Sequence, residues 1–144
     1  MVAPYTVTVL RWQDAHAALA AVRRAVFVVE QAVPEELEWE AADHAAVHVL
    51  ACTADGVPIG TGRLLIDGRI GRMAVVREWR GRGVGAALLR ELIATAEARG
   101  ITKLHLHAQT HALPFYARFG FVPTGPEFME AGIPHREMTR PPSS

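Results

Sequence analysis

Residues 72–86 of the chain read Arg72-Met73-Ala74-Val75-Val76-Arg77-Glu78-Trp79-Arg80-Gly81-Arg82-Gly83-Val84-Gly85-Ala86. The apolar first part has the pattern of a strand, the glycine-rich middle predicts a turn, and a helix follows. Free N–H groups at the start of such a helix bind anions, because the positive end of the helix dipole lies there. Glycines let a ligand approach the backbone, and Arg80 and Arg82 add donors suited to phosphate. The segment therefore predicts a phosphate-binding loop.

Two nucleotide-binding motifs compete for this loop. A P-loop would end in Gly-Lys-Ser/Thr, whereas Gly85 is followed by Ala86-Ala87, which excludes that motif. The pattern Gly81-x-Gly83-x-x-Ala86 does meet the loose dinucleotide fingerprint, so a dinucleotide enzyme is an alternative. That fold also needs an acidic residue about 20 positions further on. The sequence has no Asp or Glu between Ala98 and Pro126, which disfavours the dinucleotide interpretation.

The composition indicates one globular domain without an overall charge. The chain has 144 residues, of which 50% are hydrophobic and 21% charged, and these values exclude a disordered chain. The 15 Lys and Arg residues balance 15 Asp and Glu residues, so we expect no binding to nucleic acid or to a membrane. A single cysteine, Cys52, excludes an internal disulfide. We recognise neither a signal peptide nor a membrane span, and expect a cytoplasmic protein.

Hydrophobic periodicity and turn residues predict a mixed sheet covered by helices. Asp55-Gly56 and Asp67-Gly68 are typical of tight hairpin turns and predict an antiparallel meander. A helix and a further strand follow, which implies a parallel strand-helix-strand crossover, and a hairpin ends the chain. The fold class is thus α/β, an α+β mixed sheet. We expect strands over 5–11, 47–53, 57–66, 69–76, 102–108, 121–124 and 135–140, a helix capped by Asp14, a short helix after Pro34, and helices over 84–99 and 111–119.

The loop and a second motif resemble the GNAT N-acetyltransferase superfamily. Arg80-x-x-Gly83-x-Gly85, preceded by Met73-Ala74-Val75, is similar to the acetyl-CoA signature of that superfamily. Residues 112–121, Ala-Leu-Pro-Phe-Tyr-Ala-Arg-Phe-Gly-Phe, resemble its next helix motif. Residues 26–31 (Val-Phe-Val-Val-Glu-Gln) and 132–135 (Gly-Ile-Pro-His) look like the ElaA-like bacterial subgroup. The resemblance implies a single GNAT acyltransferase domain over residues 1–140, followed by a disordered tail over residues 141–144.

The resemblance also implies how acetyl-CoA, the acyl donor, is bound. In this superfamily the pyrophosphate sits on the backbone amides of the loop, and the pantetheine arm pairs with a bulged strand that diverges from the next parallel strand. An amine then attacks the thioester directly. Tyr116 matches the tyrosine that protonates the departing thiolate. The residues assigned to acetyl-CoA are Met73, Ala74, Val75, Arg80, Gly81, Arg82, Gly83, Val84, Gly85, Ala86 and Gln109, the last of which stands where the family often has Asn.

The sequence leaves the general base open. Histone-type members of the superfamily carry a glutamate on the bulged strand, whereas residues 69–76 contain no carboxylate. Glu30 and His135 are candidates for a catalytic role, because an acidic residue in an apolar run and a histidine near the acceptor loop both suit proton transfer. Asp43 and His48 flank a strand that should line the cleft, so we expect them to contact the acceptor.

The acidic segment offers a hypothesis about the acceptor. It falls where this family builds its acceptor wall, and its charge would attract a cationic amine. A helix face in contact with water is the alternative interpretation. The residues of this segment are Glu35, Glu36, Glu38, Glu40 and Asp43.

These observations predict an acetyl-CoA-dependent N-acetyltransferase that acts on a primary amine of a small molecule or a peptide. The alternative is a non-catalytic acyl-CoA-binding sensor module, which the absence of a carboxylate from the bulged strand supports. A homodimer is compatible with the sequence. We expect no metal site, since the nearest group of histidines has no carboxylate beside it: His105, His107 and His111.

Overall fold

The computed structural model of the chain describes residues 4–33 and 41–142. All of the expected long helices and strands are present in these ranges, and β6 is longer than expected. None of the helices there combines the length and the apolar character needed to span a bilayer. The elements are β1 (Tyr5–Arg11), α1 (Trp12–Arg23), β2 (Val47–Thr53), β3 (Pro58–Leu64), β4 (Ile70–Val75), α2 (Val84–Ala98), β5 (Leu104–Gln109), α3 (Leu113–Ala117), β6 (Val122–Glu130) and β7 (Ile133–Arg140).

The strands form two antiparallel sheets that meet at one point. The first sheet has the order β1-β2-β3-β4 and the second the order β5-β7-β6. A parallel bridge between Arg69 and His105 connects them, and the N–H of His105 donates to the carbonyl of Gly68 at 3.2 Å. The expected parallel crossover is therefore present, but its two strands pair only at their beginnings. Beyond the bridge, β4 and β5 are the facing edges of separate sheets.

Helix α2 covers the sheets because one of its faces is apolar. Leu88, Leu89 and Leu92 are fully buried and belong to one core cluster with residues of β2, β3 and β5. Two glycines of β3 allow a close approach. A Cβ atom on Gly60 would lie 2.9 Å from Leu88 Cδ1, and one on Gly62 would lie 2.8 Å from Leu92 Cδ1. This packing holds the N-terminal end of α2, and with it the loop over residues 81–86, beside β4.

Strand β4 carries a bulge. Thr61 pairs with Ala74 and Arg63 pairs with Gly71, so two steps along β3 correspond to three steps along β4. Arg72 lies within this interval and has a φ of 50°, in the left-handed region that non-glycine residues rarely adopt. The resemblance to the GNAT superfamily implies a bulged strand at this place, and the register agrees with it.

The first helix changes its geometry halfway along. Helix α1 continues as a π-helical segment, Arg24–Glu30. Asp14 is not the cap that the sequence suggests; it is the third helical residue, and its carboxylate accepts a hydrogen bond from the N–H of Arg11 at 3.1 Å. Helical turns of the π type are rare and occur often at functional sites. The segment brings Glu30 to the cavity described below.

Most of the acidic segment lies outside the described residues. Glu35, Glu36, Glu38 and Glu40 belong to residues 34–40, whose structure is not described. The short helix expected after Pro34 also falls mostly on those residues; the described part of the region contains a 3-10 turn over Ala41–His44.

We expect the substitution Gly62→Ala to lower the free energy of unfolding by about 1–3 kcal/mol, the usual cost of overpacking a core. The new methyl group would lie 2.6 Å from Met73 Sδ and 2.8 Å from Leu92 Cδ1, so both side chains must move. Urea denaturation followed by circular dichroism measures the change. Gly71→Ala is the matched control, because its Cβ would lie 3.9 Å from Arg63 Nη2, its nearest neighbour. An equal loss in both variants contradicts the packing argument.

Candidate active site

A cavity of about 640 Å³ lies between the facing edges of β4 and β5. The π-helical segment, α3 and the hairpin between β6 and β7 also contribute to its wall. Many residues that the sequence assigns to the site line this cavity: Glu30, Met73, Ala74, Val75, Arg80, Gln109, Tyr116 and His135.

The glycine-rich loop leads from β4 into α2 beside the cavity. Gly81 has a φ of 75° and Gly83 a φ of 83°, so both adopt the left-handed conformation that glycine favours. A Cβ atom on Gly81 would meet no atom within 4 Å, which leaves the backbone open to a ligand. The first N–H groups of α2 have no partner within the helix, and Gly83 has no side chain to cap them. The geometry of this loop suits a phosphate group.

The other loop residues offer a ligand mainly their backbone. The side chains of Val84 and Ala86 are buried in the protein. A Cβ atom on Gly85 would lie 3.5 Å from the ring of Phe115, so this glycine packs against an aromatic side chain. The guanidinium of Arg82 lies 4.8 Å from the ring centre of Trp79, a cation–π contact.

Arg80 binds other parts of the protein rather than extending toward a ligand of the loop. Its Nη1 and Nη2 donate to the two carboxylate oxygens of Glu30 at 2.6 and 2.7 Å, and its Nε donates to the carbonyl of Val75 at 2.9 Å. These hydrogen bonds from Arg80 are the main reason that the pKa of Glu30 lies below its ordinary value. A carboxylate held in its ionised form accepts protons poorly. The pair shapes the cleft, while the phosphate-binding role expected of Arg80 and the catalytic role expected of Glu30 stay predictions.

Gln109 contacts a second glutamine across the cavity. Its Nε2 donates to Oε1 of Gln31 at 3.0 Å, and Nε2 of Gln31 donates back to Oε1 of Gln109 at 3.4 Å. Gln31 directly follows Glu30, so two consecutive residues at the end of the first helix bind the two sides of the cleft. The sequence shows no pattern that links positions so far apart.

Tyr116 has the surroundings of a proton donor. It lies in α3 and lines the cavity, with its ring packed edge-to-face against Phe115 and Phe121. Burial raises the pKa of Tyr116 to about 12. The phenol consequently keeps its proton at neutral pH and can donate it.

A histidine–carboxylate cluster that the sequence motifs did not indicate also lines the cavity. Glu130 Oε1 lies 3.0 Å from His107 Nδ1, and Glu130 Oε2 lies 3.5 Å from His135 Nε2. Strands β5, β7 and β6 are neighbours in one sheet, so His107, His135 and Glu130 project from one face of it. The sequence feature that could have indicated this cluster is the alternation of side chains between the two faces of β6 and β7. In the described part of the chain, no group of three His, Cys, Asp or Glu side chains could hold a metal ion.

Asp43 and His48 lie behind the cavity wall, which corrects the expectation that they contact the acceptor. Both are 1% exposed, and neither lines the cavity. One oxygen of Asp43 accepts hydrogen bonds from Arg23 and Arg63, each at 2.9 Å. His48 Nε2 lies 2.9 Å from the carbonyl of Asp43, and burial lowers the pKa of His48. This network stabilises β2 and β3, because the loss of one partner of a buried ion pair leaves an uncompensated charge and lowers the free energy of unfolding.

We expect Glu30→Gln to lower the melting temperature at neutral pH, because it removes the carboxylate that holds Arg80. The folded protein has the lower pKa at Glu30, so this stabilisation is present above the unfolded value near 4.5 and disappears as the pH falls through the folded value. Thermal unfolding at a series of pH values should show wild type and variant converging below that range. Glu91→Gln, on the exposed face of α2, is the control. A difference that persists unchanged in acid contradicts the argument.

The sequence and the fold have counterparts among known proteins. Residues 11–141 match the family model described as an acetyltransferase (GNAT) domain. The chain is 36% identical over 123 residues to the N-acetyltransferase YjcF of Bacillus subtilis, with 83% of this chain and 87% of that protein covered. The structures of Escherichia coli ElaA (30% identity) and of an acyl-CoA N-acyltransferase from Pseudomonas aeruginosa (32%) each match with a TM-score of 0.85, over 94% of this chain and 99% of theirs. The chain therefore belongs to the GNAT family, resembles ElaA within it, and is an N-acetyltransferase.

Proposed function

We propose that the protein transfers an acetyl group from acetyl-CoA to a primary amine of a small molecule or a peptide by direct attack. The observation that carries this proposal is the cavity between the facing edges of β4 and β5, which has the phosphate-binding loop beside it and Tyr116 in its wall. The substrate supplies a thioester, whose carbonyl carbon is open to a nucleophile.

The residues of β4 and the loop fit the parts of acetyl-CoA. The N–H groups over residues 81–86 suit the pyrophosphate, because the backbone at Gly81 is open and the helix dipole favours negative charge. Strand β4 is an edge strand on the cavity side, so Met73, Ala74 and Val75 offer backbone groups to an extended arm. An N–H near Ala74 and Val75 would stabilise the oxyanion that develops on the acyl carbonyl.

Two side chains divide the proton transfers. His135 takes up a proton from the amine, and the Oη of Tyr116 holds the proton that the leaving sulfur requires. A covalent intermediate on the protein is not needed. Cys52 does not line the cavity, and burial raises the pKa of its thiol, so it stays protonated.

The test has two parts. Calorimetry should detect binding of CoA, and free thiol should appear when acetyl-CoA is mixed with members of a panel of polyamines, amino sugars, aminoglycosides and peptides. Tight binding of CoA without turnover of any amine would support the sensor module instead. The absence of binding would overturn the proposal altogether.

We expect Tyr116→Phe to lower kcat by about 10²-fold, because it removes the only acidic hydrogen of this side chain while the ring remains. The affinity for acetyl-CoA should change little, since the loop and β4 are untouched. Phe115→Leu is a packing control: it disturbs the neighbouring ring without removing a proton donor. Thiol release and calorimetry measure the two quantities. Equal rates for wild type and Tyr116→Phe would remove Tyr116 from the mechanism.

A further inference from the structure

The hairpin between β6 and β7 places the backbone of Glu130 at the cavity in a fixed register. Ala131 has a φ of 51° and Gly132 a φ of 77°, the combination of a two-residue type I′ turn. Glu130 and Ile133 pair directly across this turn. Such a turn fixes the register of both strands, so Glu130 is held next to the residues that follow Ile133.

His135 has a defined protonation pattern. Its Nδ1 lies 2.7 Å from the carbonyl oxygen of Ile133. A carbonyl can only accept a hydrogen bond, so Nδ1 carries the hydrogen and Nε2 of the neutral ring has a free electron pair. The ring is 7% exposed and stacks on Phe128, with 6.0 Å between the ring centres. Its orientation is therefore set from two sides.

Two histidine rings contact the carboxylate of Glu130, and one of them also contacts Arg69. His107 Nδ1 lies 3.0 Å from Glu130 Oε1 and 3.1 Å from Arg69 Nη2. Burial works against ionisation of Glu130, but the contact with His107, the charge of Arg69 and the charges of the two histidine rings when they are protonated lower its pKa. Nδ1 of His107 can donate to Glu130 or accept from Arg69, but it cannot do both at once. Glu130 is thus ionised at neutral pH. The other charged side chains along the cavity are Glu30, Arg63, Arg72, Arg80 and His111.

Two hydrogen-bond acceptors consequently face each other. Glu130 Oε2 is a carboxylate oxygen, and His135 Nε2, 3.5 Å away, bears a free electron pair when the ring is neutral. Neither atom can donate to the other in this state, so a group with several hydrogens satisfies both at once. A primary ammonium ion has three such hydrogens and the charge that a carboxylate favours.

We infer that Glu130 and His135 form the site that receives the acceptor as its ammonium ion and deprotonates it, an inference that rests on the proposed function. Glu130 Oε2 accepts one N–H of the ammonium and holds its charge. The second N–H bond breaks, its proton forms an N–H bond with His135 Nε2, and its electron pair remains on the amine nitrogen for the attack. The carboxylate of Glu130 then stabilises the imidazolium, and the acceptor class is an amine that is strongly basic.

A pair of probes of almost equal size tests this inference. Ethylamine is an ammonium ion at neutral pH, whereas 2,2,2-trifluoroethylamine is weakly basic and arrives neutral. Glu130→Gln should lower kcat/KM for ethylamine by about 10²-fold and that for the fluorinated amine much less, because the latter needs no deprotonation before attack.

Two variants separate this effect from a general loss of structure. Glu127→Gln removes a carboxylate from the same strand; that residue accepts a hydrogen bond from Thr110 and does not line the cavity, so both amines should react as in wild type. Glu130→Asp keeps the charge and should restore part of the preference for ethylamine. If Glu130→Gln lowers the rates for both amines equally, the carboxylate has only a structural role and the inference fails, while the proposed function stands.

A measurement without turnover covers the case in which no amine reacts and the proposed function fails. Imidazole signals in ¹⁵N-edited NMR spectra of the CoA-bound or free protein report on His135 directly. Addition of ethylammonium chloride should change the chemical shifts of the imidazole signals in wild type and in Glu127→Gln, and the change should saturate. Sodium chloride at the same concentration should leave these chemical shifts unchanged. The same response in Glu130→Gln as in wild type would overturn the inference.

Discussion

The bridge between Arg69 and His105 holds the two sheets together at one end and lets them separate at the other. If β4 and β5 paired along their whole length, their edges would satisfy each other and no cavity would exist. Helix α2 keeps the two sheets in contact despite the missing ladder, because its leucines pack with residues of β2, β3 and β5 in one core. The packing of α2 thus compensates for the hydrogen bonds that are missing along the seam, the gap between the edges of β4 and β5. The bulge at Arg72 is a further local break in the pairing of β4.

The end of the first helix connects the two sides of this seam. Glu30 binds Arg80, which follows β4, and Gln31 binds Gln109, which ends β5. Both contacts are polar and lie at the cavity. Buried apolar contacts at these positions would fill the cavity. The π-helical geometry of Arg24–Glu30 brings these neighbouring side chains to the seam, and Arg80 in turn is oriented by the carbonyl of Val75. One helical segment therefore contacts both edges of the cavity.

Local patterns in the sequence predict most of the elements but few of these contacts. The alternation in β1, the Asp-Gly turns and the apolar stripe of α2 each follow from neighbouring residues, and the structure contains these elements. The pair Glu30 and Arg80 joins residues 50 positions apart, and a single sequence carries no sign of it. For the same reason Asp43 looked available to a substrate, although two arginines from distant elements enclose it. The position of Glu130 could be predicted from the sequence. Side chains alternate between the two faces of a strand, and the turn at Gly132 puts Glu130 on the same face of the sheet as His135.

Acetyl transfer to an amine needs one group that releases a proton and another that accepts one at the same pH. Burial raises the pKa of Tyr116 to about 12, so the phenol is protonated at neutral pH and is a weaker acid than a free tyrosine; any proton that it gives up depends on its position. The contact with His107 and the charge of Arg69 favour the opposite, ionised state of Glu130. Strand β4 carries no carboxylate, and the carboxylate reaches the cavity from β6, next to a turn that fixes the register of its backbone. Because Tyr116 and Glu130 lie on different elements, their surroundings can push their pKa values in opposite directions, so that one group stays protonated while the other stays ionised in the same cavity.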